Sequence, residues 1–216
     1  MRPTATRPTL LLPALTAAFA VLFLAPPPAD AHTVPALRVD YISGAHGDAS
    51  VYRTACGEQV LVDAGRGLAD AIVDNLTEGG NTHLDYVMPS HADTDHLGDV
   101  VPVVTSPGIT VGTYADGFTA PDNHTTDSYA AYWATSRERG TVRTLDIGDA
   151  IDLCDATVRM TVVSVGYDGT AVNDLPVQAT NDRGVCLLVE VSVGYRHVTC
   201  GDINGSEGAG LSLIHI

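Results

Sequence analysis

The sequence predicts a layered, strand-rich fold of the α/β or α+β class, and three observations support this. Short apolar runs typical of β-strands recur from residue 37 to residue 199, and only a few segments have helical spacing. The opening order of strand, strand, strand, helix, strand sets a helix against a sheet. No internal repeat or linker interrupts the 216 residues, so we expect one domain.

The first half contains four expected strands, each bounded by turn residues. They are Leu37–Ile42, Ser50–Thr54, Gln59–Asp63 and Tyr86–Pro89. Between the third and the fourth, Gly67–Thr77 repeats a leucine or isoleucine at every fourth position and ends before Gly79-Gly80. This spacing predicts a helix with one apolar side.

The second half begins with a weaker helical signal. Leu97–Val104 can begin a helix, although Pro102 limits its length. Ser128–Arg139 is a clearer helix, with Asp127 as its expected cap and Gly140 as its end. We expect its aromatic face to pack in the core rather than to form a substrate platform. Strands are expected at Ile109–Tyr114, Thr141–Leu145, Ala150–Leu153, Val158–Val165, Val185–Val193 and Arg196–Thr199.

Residues 1–31 have the features of a secretory signal peptide, which leaves residues 32–216 as the folded domain. Arg2 and Arg7 form a short basic start, and Leu10–Leu24 is an apolar run of the length of a signal core. Ala29-Asp30-Ala31 fits a small-x-small cleavage site. We therefore expect secretion without stable membrane association after cleavage; the alternative is an uncleaved anchor.

Export changes the interpretation of the four cysteines, because an oxidising compartment permits two disulfides in three possible pairings. Cys186 and Cys200 bracket an apparent hairpin and can face each other across adjacent strands. We therefore favour Cys186–Cys200 together with Cys56–Cys154. The first bond closes a 15-residue loop, which stabilises the fold by about 3 kcal/mol in the chain-entropy model.

The composition excludes two classes of protein. Charged residues are 17% of the chain and apolar residues 45%, so disorder driven by charge is excluded. The formal net charge is −15, with 11 basic and 26 acidic residues. A general nucleic-acid coat protein is therefore excluded too, and any chemistry on nucleic acid requires bound metal.

The most informative stretch, residues 90–98, follows the strand Tyr86–Pro89 directly. It places His91, Asp93, Asp95 and His96 within six residues. Imidazole and carboxylate together suit zinc, manganese or iron, and a loop at a strand end can turn all four toward one point. The alternative is an acidic, solvated turn that caps the next helix, but it leaves both histidines and their spacing unexplained.

This stretch resembles the signature of the metallo-β-lactamase superfamily, His-x-His-x-Asp-His after a strand, with Asp93 in place of the second histidine. That form is similar to the branch typified by the metallo-hydrolase domain of the DNA-uptake protein ComEC. Further motifs of that branch follow in the expected order. They are Gly47-Asp48-Ala49-Ser50, Leu61-Val62-Asp63-Ala64-Gly65, Asn181-Asp182, the strand Cys186–Val191 and Gly201-Asp202-Ile203.

The resemblance implies an α+β fold, the four-layer αββα sandwich, and a site for two divalent metal ions, zinc or manganese. His91 and Asp93 would hold the first metal, Asp95 and His96 the second, and Asp202 would bridge both. Asp95 would also act catalytically by orienting the attacking water. The supporting residues that fix loop geometry or hydrogen-bond a ligand would be Asp48, Asp63, Asn181 and Asp182.

The chain also departs from the superfamily pattern. The third histidine has no clear match: His124 and His197 are expected to be loop and sheet residues, and a thiolate role for Cys200 competes with its disulfide. The final histidine of the second metal site is missing, because His215 follows Asp202 too closely. We therefore expect the gene model to be truncated at its C-terminus.

The function implied is that of an exported, bacterial, metal-dependent hydrolase of the phosphodiesterase or nuclease type, which attacks a phosphodiester with metal-bound hydroxide. The acidic charge makes a small phosphodiester as plausible a substrate as nucleic acid, and no protein partner is indicated. One alternative is hydrolysis of a lactone, β-lactam or other ester on the same centre. The other is a non-catalytic metal-binding protein.

Overall fold

The computed structural model describes residues 36–44, 47–120, 126–165 and 184–201. Contacts divide the chain into Met1–Thr33 and Val34–Ile216, and all described residues belong to the second unit. The expected signal peptide, His124, Asn181-Asp182, Asp202 and His215 lie outside the described residues.

Ten strands and four helices make up the described part of the chain. The strands are β1 (Leu37–Gly44), β2 (Gly47–Thr54), β3 (Gln59–Val62), β4 (His83–Met88), β5 (Thr110–Asp116), β6 (Thr141–Thr144), β7 (Ala150–Leu153), β8 (Val158–Val165), β9 (Val185–Val191) and β10 (Tyr195–Thr199). The helices are α1 (Ala69–Glu78), α2 (Thr94–Leu97), α3 (Val100–Thr105) and α4 (Asp127–Arg139).

The strands form two sheets. The larger has the order β1-β2-β3-β4-β5-β6, antiparallel from β1 to β3 and parallel from β3 to β6. The smaller is antiparallel, in the order β10-β9-β8-β7. Each parallel connection passes through a helical segment, as parallel pairing requires.

The two faces of the six-stranded sheet are both buried, against different layers. One apolar cluster joins Leu61 and Leu84 to helical residues such as Ile72 and Tyr132. The other joins Val60 and its neighbours to the inner face of the four-stranded sheet. The mixed, sheet-rich class predicted from sequence is confirmed, and three of the four expected layers lie within the described residues.

Many predicted boundaries differ from the structure, by up to three residues in the strands. The third strand ends at Val62 rather than Asp63, because Asp63 has a φ of 61° and leaves the pleat. The helix predicted over Leu97–Val104 is not continuous, because Leu97 is the last residue of α2 and α3 begins at Val100. The cap of α4 is Thr126 rather than Asp127, since the Thr126 hydroxyl accepts a hydrogen bond from the Tyr129 N–H at 3.2 Å.

Two disulfides join Cys56 to Cys154 and Cys186 to Cys200, the pairing favoured from the sequence. The first links the turn between β2 and β3 to the turn between β7 and β8. The second links the start of β9 to the residue after β10. Within the described ranges, no helix has the length and apolarity needed to cross a membrane.

Candidate metal centre

The centre lies where two neighbouring parallel strands end. β3 pairs with β4 up to Val62 and Met88, so the segments that follow leave the sheet at the same edge. Asp63 comes directly after β3, and the loop from Ser90 to Asp99 begins two residues after β4. The carboxyl ends of parallel strands are a recurrent place for ligand sites.

Asp63 is the buried hub of the centre, with 5% of its surface exposed. Its carboxylate accepts hydrogen bonds from the Ser90 N–H at 2.6 Å, the Ser90 hydroxyl at 2.9 Å and His96 Nδ1 at 2.9 Å. The Ser90 hydroxyl also lies 2.9 Å from His91 Nδ1. One carboxylate therefore orients both histidines, His96 directly and His91 through Ser90.

These contacts determine the tautomer of each ring. A carboxylate only accepts, so His96 Nδ1 must carry the hydrogen that it shares with Asp63. The Ser90 hydroxyl gives its hydrogen to Asp63, and His91 Nδ1 must therefore donate to Ser90. In both neutral rings the lone pair is then on Nε2, and a metal ion binds imidazole through such a lone pair.

The outward ring nitrogens face carboxylates across gaps longer than a hydrogen bond. His91 Nε2 lies 3.7 Å from Asp93 Oδ2, and His96 Nε2 lies 4.0 Å from Asp95 Oδ2. The two rings have centroids 4.2 Å apart, and His91, Asp95 and His96 present ligand atoms within 4.8 Å of one another. Imidazole nitrogen with carboxylate oxygen at this spacing fits a divalent metal ion.

The remaining predicted site residues have different positions. Asp93 precedes α2 with its side chain 35% exposed, close to His91 but outside the group formed by the other three. Asp48 lies on β2 at the mouth of a cleft beside the centre. Gly201, the residue before Asp202, packs so closely that an added Cβ would lie 2.4 Å from the Ser90 hydroxyl oxygen.

The loop from Ser90 to Asp99, which we call the metal loop, is joined to the segment after β3 by backbone hydrogen bonds. Ala64 N–H donates to the His96 carbonyl at 2.7 Å, Arg66 N–H to the Thr94 carbonyl, and Asp99 N–H to the Ala64 carbonyl. The Asp99 carboxylate accepts three further N–H groups, at distances of 2.7 to 2.8 Å, and so caps the N-terminus of α1. These donors are Gly67, Leu68 and Ala69.

Three backbone segments meet at Gly65. A Cβ on Gly65 would lie 1.9 Å from the Asp95 carbonyl oxygen and 2.6 Å from Cα of Gly47. No side chain fits there, which explains the glycines in both the Gly47-Asp48 and the Ala64-Gly65 motifs. The close approach holds Asp95 against the end of β3.

A cleft of about 330 Å³ opens beside the centre, between the β1–β2 hairpin and the end of β10. Its floor includes Asp63 and His96, and its walls include Tyr41 and Thr199. The described residues that line it include no arginine, so its charged side chains are carboxylates.

His197, expected to be a sheet residue, lies away from the metal ligands. Its ring stacks on Tyr52 with an interplanar angle of 7°, and its Nε2 is 3.1 Å from the Tyr52 hydroxyl. Burial lowers the pKa of His197 and raises that of Tyr52. Cys200 is bonded to Cys186 rather than present as a thiolate.

Three residues that shape the centre carry no assignment from sequence: Ser90, Gly65 and Asp99. Ser90 is adjacent to His91, and its hydroxyl is the one sequence signal that could have indicated its role. Asp99 acts on a helix 30 residues earlier in the chain, so only the fold reveals its contacts.

Comparisons with known proteins agree with this architecture. The sequence model described as "Metallo-beta-lactamase superfamily" matches residues 43–178. The chain therefore belongs to the metallo-β-lactamase superfamily, whose members are generally metal-dependent hydrolases. No protein of curated function matches the sequence significantly.

Solved structures with similar folds are distant in sequence. The metallo-beta-lactamase fold protein YhfI from Bacillus subtilis is 13% identical, with a TM-score of 0.47, over 74% of this chain and 56% of that one. A metallo-β-lactamase motif mutant from Cronobacter sakazakii is 17% identical, with a TM-score of 0.48, over 81% and 63%. ETHE1 from Myxococcus xanthus is 15% identical, with a TM-score of 0.42, over 71% and 53%. This chain thus spans less than two thirds of each of these structures.

Proposed function

We propose that the protein is a hydrolase that uses divalent metal ions, zinc or manganese, to cleave a small phosphodiester. One observation carries the proposal: Asp63 orients both histidines so that their Nε2 atoms face the carboxylates of Asp93 and Asp95. When bound there, a divalent metal lowers the pKa of a water molecule and neutralises negative charge that develops on the substrate.

In this proposal the side chains serve as metal ligands, as a proton acceptor and as supports for the histidines. His91 and Asp93 would bind one metal, and Asp95 and His96 the second, with Asp202 between them. Asp95 is 51% exposed, so its carboxylate can also accept a proton from a water molecule above the centre. Asp63 and Ser90 keep the histidines in the tautomer that binds metal.

The choice of phosphodiester is supported by the donor set and by the ComEC-like motifs. Asp93 in place of a histidine makes the set richer in oxygen, which favours harder cations such as manganese. The net charge of −15 and the absence of arginine from the described cleft lining disfavour a long polyanion. A small diester, whose single negative charge the metals can neutralise, is therefore favoured over DNA.

Hydrolysis of bis-p-nitrophenyl phosphate tests the proposal. Purified protein loaded with Mn²⁺ or Zn²⁺ should release p-nitrophenol, and combining His91→Ala with Asp95→Ala should lower kcat/KM by at least about 100-fold. His83→Ala is a matched control, because His83 lies at the opposite end of β4 and also has an aspartate, Asp85, at 3.7 Å. Activity that survives the double substitution would refute the assignment of the site.

A neutral lactone, β-lactam or ester is the second candidate substrate, and the carboxylate-lined cleft without arginine is the observation that favours it. Nitrocefin and p-nitrophenyl acetate distinguish the two. Turnover of either one, with none of the phosphodiester, would replace the proposed substrate class while leaving the centre intact. Stoichiometric metal binding without turnover of any of these substrates would instead support a metal-binding role.

We also propose that the protein works outside the cytoplasm. Two disulfides persist in oxidising compartments and are rare in the cytosol. Residues 1–31 would direct export and then be removed. Fractionation of the native host, followed by N-terminal sequencing of the mature protein, should find it outside the cytoplasm and beginning at His32.

A further inference from the structure

The Cys186–Cys200 disulfide is adjacent to the metal centre along both of its strands. Val185, the residue before Cys186, donates its N–H to the Ser90 carbonyl at 2.8 Å. Gly201, the residue after Cys200, packs on the Ser90 side chain. One chain neighbour of each bonded cysteine, Val185 or Gly201, therefore contacts Ser90, the residue that orients His91.

The contact at Gly201 is tight and allows little movement. Gly201 has a φ of 55°, in the left-handed region that favours glycine. An added Cβ would lie 2.4 Å from the Ser90 hydroxyl oxygen and 3.2 Å from His91 Nδ1. The backbone at Gly201 thus covers the hydrogen bond that determines the tautomer of His91.

Backbone pairing alone does not hold this end of β10. Among the described residues, β10 is the edge strand of its sheet, and its ladder with β9 ends at the pair Thr199–Leu187. The disulfide comes at the next position, where a further pair would stand. It completes a closed path from Ser90 through Val185, Cys186, Cys200 and Gly201 back to Ser90.

We propose that the Cys186–Cys200 disulfide is a positioning bond of the metal centre, which makes the geometry of His91 depend on the oxidation state of the two cysteines. The inference rests on the proposed metal centre and not on any particular substrate. With the bond formed, Gly201 is held on Ser90, and the Ser90 hydroxyl stays between Asp63 and His91. With the bond reduced, the end of β10 can leave Ser90, and His91 loses its fixed orientation.

The redox step needs a reductant from outside the protein, and a phosphine is suitable because the reagent itself is not a thiol that binds metal. The disulfide accepts two electrons and two protons and becomes two thiols. The phosphine becomes a phosphine oxide, with its oxygen taken from water. Cys200 lines the cleft, and a small reductant therefore has a path to this bond.

The second disulfide supplies a matched control. Cys56–Cys154 joins residues 98 positions apart, and it lies in turns away from the strand ends that bear Asp63 and Ser90. In the C186S/C200S variant we expect Zn²⁺ and Mn²⁺ to bind about 10- to 100-fold more weakly by calorimetry, with an unchanged far-UV circular dichroism spectrum. In C56S/C154S we expect metal affinity within about twofold of the parent, as for a site remote from the change.

A reversible version uses the C56S/C154S protein, in which Cys186–Cys200 is the one remaining disulfide. Reduction with a phosphine, removal of the reagent and metal titration should show the same loss of affinity, and reoxidation should restore it. In the metal-free protein, the Nδ1–H resonance of His91 should be protected from solvent exchange when the bond is formed and lose protection when it is reduced. This measurement does not depend on C186S/C200S folding.

Equal losses of affinity in the two double variants would overturn the proposal, because they would indicate general destabilisation. Unchanged or raised affinity on reduction would also overturn it. A redox-dependent metal affinity in a protein that cleaves no phosphodiester would leave the positioning role standing while the proposed function fails.

Discussion

The two ends of the six-stranded sheet both bury polar side chains, but they do so in opposite ways. At the end away from the centre, Gln59 is 1% exposed, and both its amide nitrogen and its amide oxygen have hydrogen-bond partners. Its amide donates to the carbonyls of Asn81 and His83, and its oxygen accepts from Arg53. At the other end, Asp63 orients His96 directly and His91 through Ser90. The Nε2 atoms of the two rings face the carboxylates of Asp95 and Asp93.

This difference separates a structural polar cluster from a ligand site. A buried cluster that closes on itself stabilises the fold, since each polar group has a partner within the protein. A cluster in which two imidazole nitrogens and a carboxylate oxygen lie within 4.8 Å of one another, with no covalent bond among them, has the donor set of a metal site.

Asp63→Asn should lower metal affinity by about 100-fold or more. Asparagine tolerates the left-handed backbone at this position, but its amide must place a donor against the Ser90 N–H or against the Ser90 hydroxyl and His96. Both histidines then lose their orientation. Metal titration by calorimetry measures the effect.

Gln59→Ala is the corresponding change at the other end of β3. It should lower the free energy of unfolding by about 1–3 kcal/mol, because the carbonyls of Asn81 and His83 and the Nε–H of Arg53 lose their hydrogen-bond partner. Its metal affinity should stay at the parent value. If Gln59→Ala weakened metal binding as much as Asp63→Asn does, the proposed distinction between the two ends would be wrong.

Gly65→Ala should destabilise the protein by about 2 kcal/mol and also weaken metal binding, because the new Cβ displaces the Asp95 carbonyl. Gly57→Ala, at the opposite end, meets no atom within 4 Å but has a φ of 95°. We expect it to cost about 1 kcal/mol, without change at the metal centre. Urea unfolding combined with metal titration tests both variants.

Ser90→Ala should weaken metal binding by about tenfold, less than Asp63→Asn, because it removes the support of His91 and leaves the Asp63–His96 hydrogen bond in place. Isothermal titration with Zn²⁺ measures the loss. A loss as large as that of Asp63→Asn would mean that Ser90 also supports His96.

The smallest expected effect is a pH dependence at His197. Burial lowers its pKa from the usual 6.5, so below pH 6.5 the unfolded chain binds a proton that the folded protein resists. Stability contributed by the neutral ring is present above pH 6.5 and is lost as the pH falls. The free energy of unfolding should therefore fall less steeply between pH 6.5 and pH 5 in His197→Phe than in the parent. Identical slopes in His197→Phe and the parent would contradict a lowered pKa of His197 in the folded protein.

The sequence predicted which segments form strands and helices along the chain, because apolar runs bounded by turn residues and an apolar residue at every fourth position both mark segments that are buried. It also indicated residues 91–96 as a candidate metal site, and the structure brings His91, Asp95 and His96 together there. The roles of Ser90 and Asp99 were not predictable, because both depend on segments that approach through the fold. The cap at Thr126 was missed because Asp127 is an equally good capping residue in sequence terms.

The backbone hydrogen bonds between the metal loop and the segment after β3 have a consequence for local unfolding. Ala64, Arg66 and Asp99 donate N–H groups across this junction, and Asp99 also caps α1. The loop therefore opens only together with the start of α1, as one cooperative unit. Slow hydrogen exchange at these amides in metal-free protein would show that the cation enters a site that is already folded.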